Sequence, residues 1–138
     1  GTIRLLKSAV SDDQWDEMQV FIKNRVQDYH PVAFGFGGNI NKIFSMSKKK
    51  TGKPLTNELL RSYLKEFSSM NVAERMHKYG FRSDRADVIV PALQIYTSVL
   101  RWSGITEIFV PQVGLVDALI RLLYQELSFT SMKAKPNA

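Results

Sequence analysis

Residues 32–44 of the chain read VAFGFGGNINKIF: an apolar run, a pair of glycines, and then a renewed apolar pattern. This order predicts a strand, a tight turn and the start of a helix. Glycine lets backbone N–H groups approach an anion closely, and the first turn of a helix adds unpaired donors at the positive end of its dipole. The segment therefore predicts either an anion-binding loop or a turn with a structural role alone, because two glycines do not distinguish the two.

Length and composition favour one globular domain. A chain of 138 residues, 44% of them hydrophobic, has the size of a single hydrophobic core. No apolar run approaches the roughly 18 residues of a membrane helix and no leader pattern opens the chain, so we expect a cytoplasmic protein. The absence of cysteine excludes disulfides and zinc-thiolate sites. Because the chain opens with Gly1-Thr2 directly before an apolar run, we expect it to be part of a longer protein.

Positive charge is concentrated around the glycine pair. The chain has 19 basic and 13 acidic residues, a net charge of +6, and no acid lies between Asp28 and Glu58. Five lysines fall in that interval: Lys42, Lys48, Lys49, Lys50 and Lys53. A field of this kind raises the local concentration of a polyanion. A solvated surface loop is the simpler explanation of the lysine run Lys48–Lys50 taken alone.

The remaining periodicity predicts an α/β fold with a small three-stranded mixed sheet flanked by helices. We expect strands at Thr2 to Lys7, Val32 to Phe36 and Thr106 to Val110, the second covered on both faces because its residues do not alternate. Helices are expected at about 12–29, after the glycines, at about 56–68, from Asn71 to Gly80 and at about 115–127. The expected helix caps are Ser11 or Asp12, Thr56, and Asn71 with Glu74. The apolar residues of the last helix, Leu115, Ala118, Leu119, Leu122 and Leu123, are expected to pack on the sheet.

Residues 81–92, FRSDRADVIVPA, break a local rule. Ser83 and Asp84 are a sound helix start, and the apolar pattern continues to about residue 102. Pro91 then lies inside the predicted helix, where it costs roughly 3 kcal/mol. Arg82 and Arg85 lie at the positive end of that helix, where a bound anion would relieve them. Ion pairs from the two arginines to Asp84 and Asp87 are the alternative interpretation.

Four motifs taken together resemble the second half of the Ppx/GppA family of exopolyphosphatases and guanosine pentaphosphate phosphohydrolases. The motifs are Gly1-Thr2-Ile3-Arg4-Leu5, the strand that leads into Gly37-Gly38-Asn39, Arg85-Ala86-Asp87-Val88-Ile89-Val90-Pro91, and Ile108-Phe109-Val110-Pro111-Gln112-Val113-Gly114-Leu115. Their order and spacing cover nearly the whole chain up to Leu123. The resemblance implies a truncated actin-like (RNase H-like) domain at residues 1–129, followed by a flexible tail at 130–138.

The resemblance also implies a function. The family hydrolyses the terminal phosphate of polyphosphate or guanosine pentaphosphate, with Mg²⁺ in the intact enzyme. Gly37 and Gly38 match the diglycine loop that offers backbone N–H groups to phosphate, and Arg85 matches a family arginine that we expect to contact phosphate. Asn39 stands where the family usually has threonine, and it can still donate from its side chain or cap the helix. Electrostatic support is expected from Lys42, Lys48, Lys49 and Lys50.

The family's catalytic glutamate and magnesium ligands belong to parts that would precede Gly1. We therefore assign no catalytic residue and no metal ligand, expect no cofactor on this chain, and predict that it does not hydrolyse polyphosphate alone. The expected partners are the substrate, the missing first domain and a second copy. The second copy is expected because the strand predicted at Thr2 to Leu6 would lack its neighbour and be free for exchange in a homodimer or strand-exchanged oligomer.

Two alternatives remain open. The chain is either a polyanion or nucleic-acid binding module that uses the lysine-rich loop, or a structural fragment that only pairs with its other half. Against the nucleic-acid alternative, no exposed aromatic ladder interleaves with the lysines as a single-strand stacking platform requires.

Overall fold

The computed structural model of the chain describes residues 2–112, 117 and 119–125, and these form an α/β fold. In chain order the elements are α1 (Thr2–Leu6), α2 (Asp12–Val26), β1 (Ala33–Phe34), α3 (Gly38–Ser47), β2 (Leu55–Thr56), α4 (Asn57–Ser68), α5 (Val72–Tyr79), α6 (Ser83–Ala86), α7 (Ile89–Ser103) and β3 (Glu107–Phe109). Residues 119–125 are also helical.

The strands form a mixed sheet in the order β1-β3-β2. Ala33 lies opposite Ile108 in the parallel pair, and Leu55 lies opposite Ile108 in the antiparallel pair. The predicted small three-stranded mixed sheet is therefore confirmed, but one of its strands is different. Strand β2 was not predicted, because a strand of two residues has no detectable periodicity.

The strand predicted at Thr2 to Lys7 is wrong, because these residues form α1. A β-branched start favours a strand only where a neighbour completes its hydrogen bonds. Here the helix satisfies its own backbone instead, and the amide of Lys7 donates to the carbonyl of Ile3 at 3.1 Å. Since residues 2–6 offer no strand edge, the strand exchange predicted from them is wrong as well. The homodimer stays a prediction.

Helix signals in the sequence are confirmed at three caps. Ser11 accepts from the amide of Gln14 and forms a capping box before α2. Asn71 and Glu74 form the expected capping box before α5, which ends at Gly80 in the left-handed conformation with φ of 63°. Thr56 caps α4 by accepting from the amide of Leu59. Such signals are local in sequence, so they do not depend on the rest of the fold.

The core lies between the sheet and the helices α3, α4 and α7. Its fully buried side chains are Phe67, Ile40, Ile43, Leu55, Leu60, Ile89, Leu93 and Leu100. Phe67 is the largest of them, and its ring contacts three others: Tyr63 at 5.7 Å, Tyr79 at 5.0 Å and Phe81 at 5.6 Å between centroids. This aromatic cluster joins α4 to α5 and to the segment before α6.

Among the residues that the structure describes, only one face of β1 is covered, so the expectation that this strand is covered on both faces is wrong. Gly35 packs inward so closely that a Cβ there would lie 2.8 Å from Cγ1 of Ile40 and 3.0 Å from Cδ1 of Ile108. On the opposite face, Val32, Phe34 and Phe36 are 57–63% exposed.

Pro91 does not lie in a helix interior. The predicted helix is broken at Asp87 and Val88 into α6 and α7, and Pro91 is the third residue of α7. The first N–H groups of a helix have no intrahelical partner, so proline removes no hydrogen bond there. The expected cost of roughly 3 kcal/mol does not arise.

The apolar residues of the last predicted helix that the structure describes are not buried against the sheet. Leu119, Leu122 and Leu123 are 49–57% exposed. Leu115, Ala118 and the predicted tail at 130–138 lie outside the described residues. In the part of the chain that the structure describes, no helix is both long and apolar enough to cross a membrane.

Candidate functional site

The candidate site is the loop between β1 and α3, and its two glycines are needed for different reasons. Gly37 is the N-cap of α3 with φ of 106°, a conformation that side chains disfavour, although a Cβ there would meet nothing within 4 Å. No side chain caps this helix start. The first two N–H groups of α3, those of Gly38 and Asn39, therefore have no capping side chain at the positive end of the helix dipole, whereas the backbone of Ile40 hydrogen-bonds Tyr96.

The guanidinium of Arg85 lies against Gly38. A Cβ on Gly38 would be 2.6 Å from Nη1 and 2.7 Å from Nη2 of Arg85. Nη1 of Arg85 also donates a hydrogen bond of 2.9 Å to Oδ1 of Asn39. The structure thus brings Gly37, Gly38, Asn39 and Arg85 together, although 46 residues separate Asn39 from Arg85.

Asn39 does not cap the helix, whereas donation from its side-chain amide to phosphate stays a prediction. It is the second residue of α3, and its side-chain oxygen accepts from Arg85 instead of capping the helix. This contact fixes the plane of the guanidinium beside the helix start. Asn39 is thus a positioning residue for Arg85.

The arginine brings positive charge to a helix end that is already positive. A cation at a helix N-terminus is disfavoured unless an anion joins it. Within the described residues Arg85 makes no ion pair, so the pairing with Asp84 or Asp87 considered from the sequence is wrong for this arginine. Arg82 does pair with Asp84, at 3.4 Å, and its side chain is 87% exposed. The two arginines therefore differ in surroundings: Arg85, in α6, lies against the glycine loop, and Arg82, the N-cap of α6, is exposed to solvent.

Tyr96 on α7 is a site residue that the sequence analysis counted only as part of an apolar helix face. Burial raises the pKa of its hydroxyl, while the nearby charge of Arg85 and a hydrogen bond with the Ile40 backbone lower it. The hydroxyl is therefore neutral at pH 7 and lies close to both the arginine and the helix start. A tyrosine within an otherwise aliphatic stripe is the one sequence signal that could have indicated this role.

Arg75 holds α6, and with it Arg85, in place. Its guanidinium donates to three backbone carbonyls: Nε to Phe67 at 2.9 Å, Nη2 to Met70 at 2.8 Å and Nη1 to Ala86 at 2.8 Å. Ala86 is the neighbour of Arg85 and the last residue of α6. Burial lowers the pKa of Arg75, with the charge of Asp87 opposing that shift. No local pattern in the sequence indicates these contacts.

The lysines do not surround the glycine pair as expected. The run Lys48–Lys50 begins at the C-terminal end of α3, where Lys48 has a left-handed φ of 54°. Since α3 has 10 residues, the run lies about 15 Å from the glycines along the helix axis. Lys42 is nearer, but its ammonium lies 5.3 Å from the centroid of the Phe81 ring. The helix directs its basic end away from the loop.

Across residues 2–112, 117 and 119–125, no group of three His, Asp or Glu side chains is placed to hold a metal ion. These residues do not fit the Mg²⁺ that the family resemblance implies, and we derive no step that involves it. The site as described can hold an oxyanion through backbone amides and one guanidinium.

Comparisons with known proteins give structural neighbours only. No protein-family model matches the chain, and no curated protein sequence matches it. A crystal structure of the Aquifex aeolicus member of the Ppx/GppA family matches over 84% of this chain, with 19% identity and a TM-score of 0.62. A type II variant of the Aquifex aeolicus Ppx/GppA phosphatase matches over 80%, with 19% identity and a TM-score of 0.58. A third structure, of the Aquifex aeolicus PPX-GPPA enzyme, matches with 20% identity and a TM-score of 0.60.

The match covers only part of the neighbours. The chain spans 42% of the first of these structures and 41% of the other two. The resemblance inferred from the motifs is confirmed at the level of the fold. The chain has the fold of one part of a Ppx/GppA protein.

Proposed function

We propose that this chain is a truncated actin-like domain that forms the phosphate-binding part of a Ppx/GppA-type phosphohydrolase. The observation that carries the proposal is the guanidinium of Arg85 against Gly38, at the uncapped start of α3. The fold shared with Ppx/GppA structures supports the class of reaction, which is release of orthophosphate from a terminal phosphoanhydride. The substrate is polyphosphate or guanosine pentaphosphate.

In this proposal the terminal phosphate lies between the helix start and the arginine. Its oxygens accept from the first amides of α3 and from Nη2 of Arg85, while Nη1 stays with Asn39. The anion neutralises the positive N-terminal end of α3 and the guanidinium of Arg85, which otherwise repel each other. Because Asn39 and Arg75 already hold the arginine, little conformational entropy is lost on binding.

The chain supplies binding and not the chemical step. We propose that the general base and the metal ligands come from the rest of the enzyme, consistent with neighbours that are more than twice as long as the matched region. The chain alone is then expected to bind pyrophosphate and polyphosphate without releasing orthophosphate. A colorimetric assay for orthophosphate, run with Mg²⁺ present, tests this, and turnover by the purified chain would contradict it.

The binding proposal is tested with Arg85→Ala and a matched control, Arg82→Ala, at the N-cap of the same helix. A hydrogen bond to a charged group contributes about 1.5–3 kcal/mol, so loss of Arg85 is expected to weaken pyrophosphate binding about 10- to 100-fold. The control removes a solvent-facing cation of equal charge and is expected to change affinity less than about twofold. Isothermal titration calorimetry measures both. Equal losses in the two variants would show that only net charge matters and would refute the site.

A further inference from the structure

A second cavity of about 620 Å³ lies among the helices, away from the glycine loop. It is open to solvent and is lined by α1, α2, α4, α7 and the α1–α2 connection. Its lining includes Trp15 of α2, Arg61 and Lys65 of α4, and Thr97 and Arg101 of α7. This volume is in the range of pockets that hold small organic ligands, roughly 300–1,000 Å³.

The charge of this cavity is all of one sign. Arg61, Lys65 and Arg101 line it, and no Asp or Glu does. None of the three cations makes an ion pair within the described part of the chain. Glu66, the acid next to Lys65 in sequence, is engaged elsewhere, since it binds Lys78 at 2.8 Å and also accepts from the hydroxyl of Tyr79. Three uncompensated cations around one concavity attract an anion.

The floor of the cavity is apolar and aromatic. Leu5, Val10, Trp15 and Leu64 contribute it. The indole of Trp15 is held by Trp102, edge to face at 5.7 Å between centroids. The Thr97 hydroxyl donates to the carbonyl of Leu93 at 2.8 Å and so can present only an acceptor to the cavity. An occupant that is only an inorganic ion would leave this floor without a contact.

The cavity lining shares no residue with the candidate phosphate site, and the two use different side chains of α7. Gln94, Thr97 and Arg101 recur at helical spacing on the cavity side. Leu93 and Tyr96 lie on the side toward α3. A ligand in the cavity therefore contacts none of the groups around Gly38, and the inference does not depend on the proposed function.

We propose that this cavity binds a small organic anion: an aromatic ring system that lies over Trp15 and Leu64, carrying an acidic oxyanion group that Arg61, Lys65 and Arg101 contact. Phosphate monoesters, sulfonates and carboxylates of aromatic compounds share this chemistry. The aromatic ring packs on the apolar side chains and the oxyanion pairs with the cations. A ligand that carries both groups is therefore expected to bind more tightly than either group alone.

The test compares 1-naphthyl phosphate with its two halves, 1-naphthol and inorganic phosphate, by calorimetry on the full chain. The aryl phosphate is expected to bind at least about tenfold more tightly than either half. The indole ¹⁵N–¹H signals are expected to shift with the ligand, because the chain has only two tryptophans and they contact each other.

Two sets of variants decide the location. The double variant Arg61→Gln/Arg101→Gln is expected to weaken binding at least about tenfold, because it leaves one cation of three. Lys23→Gln, which removes an exposed cation of α2 outside the lining, and Arg85→Ala are expected to have no effect. Unchanged binding in the double variant, equal binding of 1-naphthol, or loss of binding in Arg85→Ala would each overturn the proposal. The last result would place the ligand at the glycine loop instead.

Discussion

Replacing Arg75 by methionine is expected to destabilise the fold and to loosen the candidate site at the same time. Methionine keeps most of the aliphatic stem but removes all three hydrogen bonds to the carbonyls of Phe67, Met70 and Ala86. Each such bond has a net value of about 1 kcal/mol after exchange with water, so the expected loss in the free energy of unfolding is about 3 kcal/mol. This loss in the free energy of unfolding is smaller than that expected for three charge-assisted hydrogen bonds. Burial of the Arg75 guanidinium, which lowers its pKa, carries a desolvation cost that offsets part of their energy.

Urea unfolding followed by tryptophan fluorescence measures this loss. Arg75→Lys keeps the charge, but one ammonium cannot span three carbonyls, so it is expected to recover about one third of the lost stability. Arg82→Met is the matched control, because the Arg82 side chain is 87% exposed and its single ion pair contributes little. An Arg75→Met protein within about 0.5 kcal/mol of the parent would refute the role assigned to these bonds.

The same variant tests the link between α6 and the site. Without the bond to Ala86 the short helix α6 loses its tie to α5, and Arg85 is held less firmly against Gly38. Pyrophosphate affinity is therefore expected to fall, whereas Arg82→Met leaves it unchanged. Unaltered affinity in a destabilised but folded Arg75→Met protein would show that α6 does not depend on this tie.

Three further predictions concern packing, pH and charge. Gly35→Ala places a Cβ 2.8 Å from Ile40 and is expected to cost about 1–3 kcal/mol in urea unfolding; an unchanged midpoint would contradict the tight contact. Hydrogen bonds from Lys78 and, to a lesser extent, Tyr79 lower the pKa of Glu66 from 4.5. The ionised Glu66 therefore stabilises the fold above pH 4.5, and this stabilisation is lost as pH falls below that value. The difference in the free energy of unfolding between the parent and Glu66→Gln should narrow on acidification, and a widening difference would contradict this. Replacing the Lys48–Lys50 run by glutamine is expected to change pyrophosphate affinity less than about twofold at physiological salt, because the run lies nearly two Debye lengths from the glycines. A loss of affinity of more than about tenfold would favour the polyanion-binding alternative.

The helices were predictable where their ends carry local signals. Asn71 and Glu74 define the start of α5 and Gly80 defines its end, whatever the rest of the chain does. The segment at Thr2 was not predictable in this way, because a strand depends on a partner that the segment itself does not encode. Pro91 was misjudged by a few residues: the rule against proline holds in a helix interior but not in the first turn of α7.

The site was predictable only in part. The glycine pair and Arg85 each carry a local signal, and the family resemblance suggested that both contact phosphate. The contact of Arg85 with Gly38 and Asn39 joins distant parts of the chain, with a separation of 46 between Asn39 and Arg85, and it depends on how α6 packs beside α3, which no local pattern encodes. Tyr96 and Arg75 were missed because their roles arise from tertiary contacts of residue types that are common on helices.

The one-sided covering of β1 has a consequence for the colloidal behaviour of the protein. Val32, Phe34 and Phe36 form an exposed apolar patch. The net charge of +6 opposes association of two copies through this patch by electrostatic repulsion. Salt screens that repulsion, and raising the pH toward the sequence pI of 9.7 removes it. The protein is therefore expected to remain soluble in neutral buffer of low ionic strength and to aggregate as the salt concentration or the pH is raised. The variant Phe34→Lys is expected to remain soluble at higher salt concentration and higher pH than the parent.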